Sequence, residues 1–241
     1  MTWVKPAMIV ATCAIALASS GAALAAIVVA STGPSAKQFP AGKKLDDNQT
    51  IILQAGDSVT VLDPRGTRVL RGAGTFKASD TAGQNRSSTF TALTRQRGSQ
   101  RVRTGAVRNA GPDGKLMSPN LWFVDLSKSG TICVVGGSPV HVWRPEAAKA
   151  ANYRVANTAG ATSTLSFDAG SMVAPWNATA TPISDGSTFT VTTEAGQPLG
   201  RYGFVVLPSQ PATPEDTAAA LIEKGCAAQL ELLSASLATQ G

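Results

Sequence analysis

Two cysteines constrain this chain more than any other feature in it. Cys133 sits in Gly130-Thr131-Ile132-Cys133-Val134-Val135, an apolar run with the composition of a core strand. Cys226 sits far downstream, in a segment whose apolar residues recur at helical steps. The third cysteine, Cys13, belongs to an N-terminal segment with the layout of an export signal. In an oxidising compartment the two that remain are expected to pair. Closing a loop of roughly 90 residues contributes about 4–5 kcal/mol in the chain-entropy account. Any fold of this chain must then bring a sheet strand and a terminal helix within disulfide reach of each other.

The export reading rests on residues 1–25, MTWVKPAMIVATCAIALASSGAALA. One charge, Lys5, is followed by an apolar stretch and a small-residue exit at Ala23-Leu24-Ala25, after which cleavage is expected. The rival reading is an uncleaved anchor, because no charge occurs from Pro6 to Ala36 and a span needs about 20 mostly apolar residues. Ser19, Ser20 and Gly21 interrupt the run where a cleavage region should begin, which favours the signal. Both readings put the rest of the chain outside the cytoplasm, periplasmic or secreted, touching the membrane only through this segment if it stays uncleaved. Losing residues 1–25 removes Lys5 and no acid, leaving 20 basic and 15 acidic side chains and a net charge of +5. That excess suits an anionic surface without identifying one.

Residues 26–44 carry Gly, Pro and Lys and read as a linker. A β region follows. In Asp57-Ser58-Val59-Thr60-Val61-Leu62-Asp63 the valines share one face, with Thr60 and Leu62 on the other. Asp63-Pro64-Arg65-Gly66 is a turn, since proline presets φ and glycine supplies the unusual φ after it. Residues 57–71 are therefore expected to form a β-hairpin.

The stretch LQAGDSVTVLDPRGTRVLRGAGTF, with Gly56-Asp57, Gly66-Thr67, Gly72-Ala73-Gly74 and Phe76, resembles the repeating signature of FecR-like domains. The resemblance covers about residues 45–110. It implies an all-β, non-enzymatic module of periplasmic sensing and regulation. Membrane regulators of that family carry a cytoplasmic region ahead of the apolar segment, which this sequence lacks, so regulation of transcription is not the expected role. The second half resembles uncharacterised secreted α-proteobacterial proteins, a likeness that implies no activity.

Residues 77–110 are polar and basic, with no acid between Asp80 and Asp113. Arg95, Arg97, Arg101, Arg103 and Arg108 are candidates for an anion-binding stripe, set against the plainer reading of a solvated edge strand. No aromatic residue of the stacking kind interleaves them, so nucleic acid is not an expected partner. A soft boundary is expected at the turn-rich residues 110–120. Residues 118–238 then show short strand-like runs, LWFVDL, GTICVV, PVHVW, STLSF, STFTVT and RYGFVVL, separated by turn clusters. That is the pattern of a sandwich or barrel. The chain closes with an amphipathic helix expected over 214–238, capped by Thr213, with Pro214 at its first position and Gly225 inside it.

Chemistry is sparse. His141 is the only histidine, and a thiolate nucleophile would need Cys133 free and that histidine beside it. Two distant cysteines and one histidine lack zinc-ligand spacing. Asp125 is the only carboxylate inside an expected strand, whereas glycoside hydrolysis needs two placed carboxylates. Trp122, Trp143 and Trp176 read as core or as a sugar-stacking face, and Arg144 as a surface cation beside Trp143.

These residues predict a mainly β protein of two sandwich- or barrel-like modules, with one C-terminal helix packed on the second and held by Cys133–Cys226. The expected role is a non-catalytic envelope module binding a protein or glycan partner. Its candidate surface is Arg95, Arg97, Arg101, Arg103 and Arg108, together with Trp122, Trp143 and Trp176. The alternatives are a carbohydrate- or peptidoglycan-binding module and an enzyme using Cys133. No cofactor, no metal and no catalytic residue is expected.

Overall fold

A computed structural model describes residues 24–63, 66–78, 87–95 and 116–237. The first half contains strands β1 (Leu24–Thr32), β2 (Lys44–Asp46), β3 (Thr50–Leu53), β4 (Ser58–Asp63), β5 (Gly66–Arg71) and β6 (Gly74–Lys77), then helix α1 (Ser87–Thr94). They form one sheet of order β2-β1-β4-β5 and a ribbon of β3 with β6. Between these lies a core of Val28, Phe39, Leu45, Ile51, Val59, Val61 and Leu70. The expected hairpin is present, with β4 antiparallel to β5 from Ser58↔Arg71 to Asp63↔Gly66. Gly66 has φ +133°, and its N–H donates to the Asp63 carboxylate at 3.1 Å.

Asp57 explains the Gly-Asp pair ahead of that hairpin. Its buried carboxylate accepts from the N–H of Ser35 at 2.9 Å and of Gln54 at 2.6 Å, stapling the loop after β1 to the hairpin entrance. Hydrogen bonds from Ser35 first, and from Gln54, hold its pKa below the usual carboxylate range. Gly33, at φ +101°, allows the close approach, since a Cβ there would lie 2.5 Å from an Asp57 oxygen.

Residues 26–44 are not a linker. Strand β1 runs through their first part and is the second strand of its sheet, flanked by β2 and β4. Ala26 and Val28 face the core between sheet and ribbon, while Ile27 and Val29 face the opposite way. A strand buried on both faces needs a continuous apolar run, and such a run is indistinguishable in sequence from the tail of an export signal. Cleavage after Ala25 would leave Ala26–Thr32 within this strand.

A second difference falls at 87–94. The polar segment read as edge strand contains α1 here, and its Phe90 and Leu93, one helical turn apart, are buried. Arg97, Arg101, Arg103 and Arg108 lie outside the described residues, as do Pro64 and Arg65 of the hairpin turn.

The second half contains β7 (Val124–Asp125), β8 (Gly130–Val135), β9 (His141–Trp143), β10 (Ala151–Asn157), β11 (Thr162–Phe167), β12 (Val173–Pro175), β13 (Thr188–Thr193) and β14 (Pro198–Leu207). A sheet of order β11-β10-β13-β14-β8 and a smaller one of order β12-β9-β7 enclose a common core. Trp176, Phe189 and Phe204 meet edge to face within it, with centroids 5.1–5.6 Å apart. Strands β10 and β12 lie outside the runs expected as strands, and LWFVDL supplies only two strand residues.

The C-terminal segment is two helices, α2 (Pro214–Glu223) and α3 (Ala227–Leu237), rather than one. Thr213 caps α2 as expected, accepting from Asp216 N–H at 3.1 Å. Gly225, at φ +71°, ends it. Cys226 N–H reaches back to Leu221 O at 2.8 Å and Gly225 N–H to Ile222 O at 3.2 Å, the paired bonds of a glycine-terminated helix. The reversal delivers Cys226 to β8. Cys133 and Cys226, 93 residues apart, are joined with 5.9 Å between their α-carbons, and both are fully buried.

The helices also unite the two halves. One core cluster contains Ile27 and Val29 of β1, Leu62 of β4, Phe90 and Leu93 of α1, Cys133 and Val135 of β8, and Leu221, Leu233 and Leu237 of the terminal helices. Strand β8, like β1, is buried on both faces, since its Ile132 and Val134 belong to the other core. Two residues at the end of the expected boundary, Asn120 and Leu121, bond to the end of α1. Leu121 N–H donates to Leu93 O at 3.0 Å, and Asn120 Nδ2 donates to Arg95 O at 2.9 Å.

Among the described residues, strand β8 ends its sheet, pairing with β14 alone and running parallel to it. On its outer edge, Cys133 is held by one side chain. Buried Gln229 accepts from Cys133 N–H through Oε1 at 2.6 Å, and its Nε2 donates to Cys133 O and Leu121 O, each at 2.8 Å. Gln229→Leu keeps the bulk and strips the partners from three buried main-chain groups. At 1–3 kcal/mol for each unsatisfied group, softened by relaxation, a loss of about 3 kcal/mol is expected in urea unfolding, with the disulfide intact.

Candidate functional site

Beside the disulfide, an apolar groove of about 590 Å³ opens between α3 and the segment leading into β7. That volume is within the range that holds small ligands. One wall is a face of α3, where Ala228, Glu231, Leu232 and Ala235 recur at helical steps. The opposite wall is Leu116, Met117 and Phe123, and the buried Leu121 and Ile132 also line the groove.

The irregular wall is fixed by its own polar side chains. Asn120 Oδ1 accepts from Trp122 N–H at 2.9 Å, and Ser118 Oγ donates to Asn120 O at 2.8 Å. Phe123 leans on His141, ring centroids 5.3 Å apart.

Three charged residues line the groove. Lys128 and Glu231 pair with each other, and both are substantially exposed. Asp125, at the end of β7, is half-buried. Its Oδ1 accepts from Ser127 N–H at 2.8 Å and from Ser127 Oγ at 2.6 Å. Its Oδ2 has no hydrogen-bond donor among the described residues. Burial pushes its pKa up, and the bonds from Ser127 and the charge of Lys128 offset this only in part. Tyr202, buried nearby, donates its hydroxyl to Leu126 O at 3.0 Å. Burial, with Asp125 as a lesser cause, pushes the phenol up to about 12.

The expected surface fares unevenly. Arg95 is exposed at the end of α1. Trp122, Trp143 and Trp176 are only 2%, 1% and 7% exposed, so none presents a ring face to a sugar, and the sugar-stacking reading of these residues is overturned. Trp176 Nε1 donates to Thr181 O at 2.8 Å inside the second core. Arg144 is no surface cation either. It is buried, donates to the carbonyls of Lys149, Asp168 and Ser171, and lies 4.6 Å from the Phe167 ring centroid. Cys133 and His141 stand in different sheets, β8 in the five-stranded and β9 in the three-stranded one.

Sequence reasoning missed the groove. Asp125 was visible as a carboxylate in a strand, and Leu232 and Ala235 as helix residues, but no pattern ties residue 116 to residue 235. It also missed a polar face on β10, β11 and β13, where Asn152, Arg154, Thr164, Ser166 and Thr192 surround an open depression. Cross-strand register places them together, with Arg154 opposite both Thr164 and Thr192. Among the described residues no cluster of three His, Cys, Asp or Glu could hold a metal ion, and no helix is long and apolar enough to cross a bilayer.

No family model, curated protein or solved structure matches the chain. The Cys133–Cys226 bond accords with an oxidising compartment.

A group whose folded pKa is raised favours folding below its unfolded value and loses that contribution as pH rises through the folded value. Asp125→Asn removes the penalty carried by the ionised form. Its unfolding free energy relative to the native chain should therefore improve as pH climbs from about 3 to 7, in paired urea titrations.

Proposed function

We propose that this chain is a non-catalytic interaction module of the cell envelope, exported to the periplasm or beyond, with a FecR-like first half. The groove between α3 and residues 116–128 is its binding site. The observation that carries this reading is the concurrence of a built apolar cleft with a covalently occupied cysteine. The cleft has the size and lining of a ligand site, and the thiol that a nucleophilic mechanism would need is bonded to Cys226.

A glycan partner remains a second reading, supported by a different surface from the tryptophans. The hydroxyl, amide and guanidinium groups of Asn152, Arg154, Thr164 and Ser166 form an exposed polar face of the kind that hydrogen-bonds sugars.

Two measurements on cells making the full chain test the proposal. Fractionation should place the protein outside the cytoplasm, with no thiol labelled until it is reduced. A photo-cross-linking side chain at Ala235 should give a discrete adduct that Leu232→Arg abolishes, whereas the same probe at Thr164 reports the glycan reading. A cytoplasmic protein with labelled native thiols, or an adduct indifferent to Leu232→Arg, would overturn the groove-module reading.

A further inference from the structure

The groove's half-buried carboxylate specifies its ligand, on the reading that the groove is the binding site. Leu116, Met117, Phe123 and Leu232 offer an apolar bed without a hydrogen-bonding side chain. Into that bed Asp125 brings a carboxylate whose Oδ1 is doubly bonded to Ser127 and whose Oδ2 accepts no hydrogen bond among the described residues. The nearest cation, Lys128, is drawn to Glu231. A half-buried carboxylate with one oxygen free of protein donors among the described residues is best complemented by a donor that is also a cation. A neutral hydroxyl would add no positive charge beside it, and a carboxylate would meet like charge.

We propose that the groove takes a small amphiphilic amine, its alkyl or aryl body against Phe123 and Leu232 and its ammonium on Asp125 Oδ2. Specificity then comes from a charge-assisted bond at the half-buried end of a largely apolar site. Affinity comes from the burial of the ligand's body.

Titration calorimetry of the full disulfide-bonded chain with octylamine, octanol and octanoate tests this, since the three share one chain and differ in the head. Octylamine should bind saturably at one site, about tenfold or more tighter than octanol, with octanoate weakest. Asp125→Asn still offers Ser127 an acceptor, so it should fold. It should abolish the preference for octylamine and leave octanol binding unchanged. Ala235→Trp fills the groove from its exposed side and should abolish all three.

Equal binding of octylamine and octanol would overturn amine recognition, as would tightest binding of octanoate or undiminished octylamine binding by Asp125→Asn. Binding of none of them would overturn it too. In each case the interaction-module reading stands or falls separately on the Ala235 cross-link, which reports occupancy of the groove whatever occupies it.

Discussion

The grip of Gln229 on β8 is the contact on which the architecture turns. A strand that ends a sheet presents unpaired main-chain groups, and burying them without partners costs more than most side-chain contacts return. Here an amide side chain supplies both a donor and an acceptor to Cys133 and a second donor bond to Leu121. It thus does locally what a further strand would do. The disulfide leaves the same residue, so the covalent tie and the amide tie act on one point of the sheet edge. With that point fixed, α3 has a defined distance from residues 116–123, and the groove between them has a defined width.

The terminal helices do more than cover a sheet. Strands β1 and β8 come from opposite halves of the chain, and each sends alternate residues into a core of its own half and into the core it shares with α2 and α3. The two β halves are therefore joined through a helical layer. A change at the helix surface is felt by both, because interiors are packed too densely to absorb a shift on one side alone.

How much of this was readable depends on how local its cause is. The hairpin at 57–71, the Thr213 cap and the strand around Cys133 rest on patterns a few residues long, and the structure contains them. The disulfide was reachable by counting cysteines and assuming an oxidising compartment. Ile27 and Val29 were misread because burial on two faces erases the alternation that marks a strand. Gly225 was placed inside a single helix because only the structure shows that it ends one helix and starts the turn to another. The tryptophans were read as core or as a sugar-stacking face, and their burial decides for the core, whereas nothing in VWRP reveals that Arg144 is buried among carbonyls. The groove was beyond reach altogether: its two walls are more than a hundred positions apart, and the register between them is set by tertiary packing.

The order in which the chain leaves the ribosome gives the late position of Cys226 a further meaning. Strand β8 is synthesised long before the residues that cover its edge. Until α3 arrives, a nascent chain holds an apolar strand with one side open and a sulfur without its mate. That intermediate is exposed to chance pairing with other strands and other thiols for as long as the last stretch is delayed. Completion of the fold is thus tied to the passage of its final helices, and a chain halted before them would carry the apolar face of β8 uncovered.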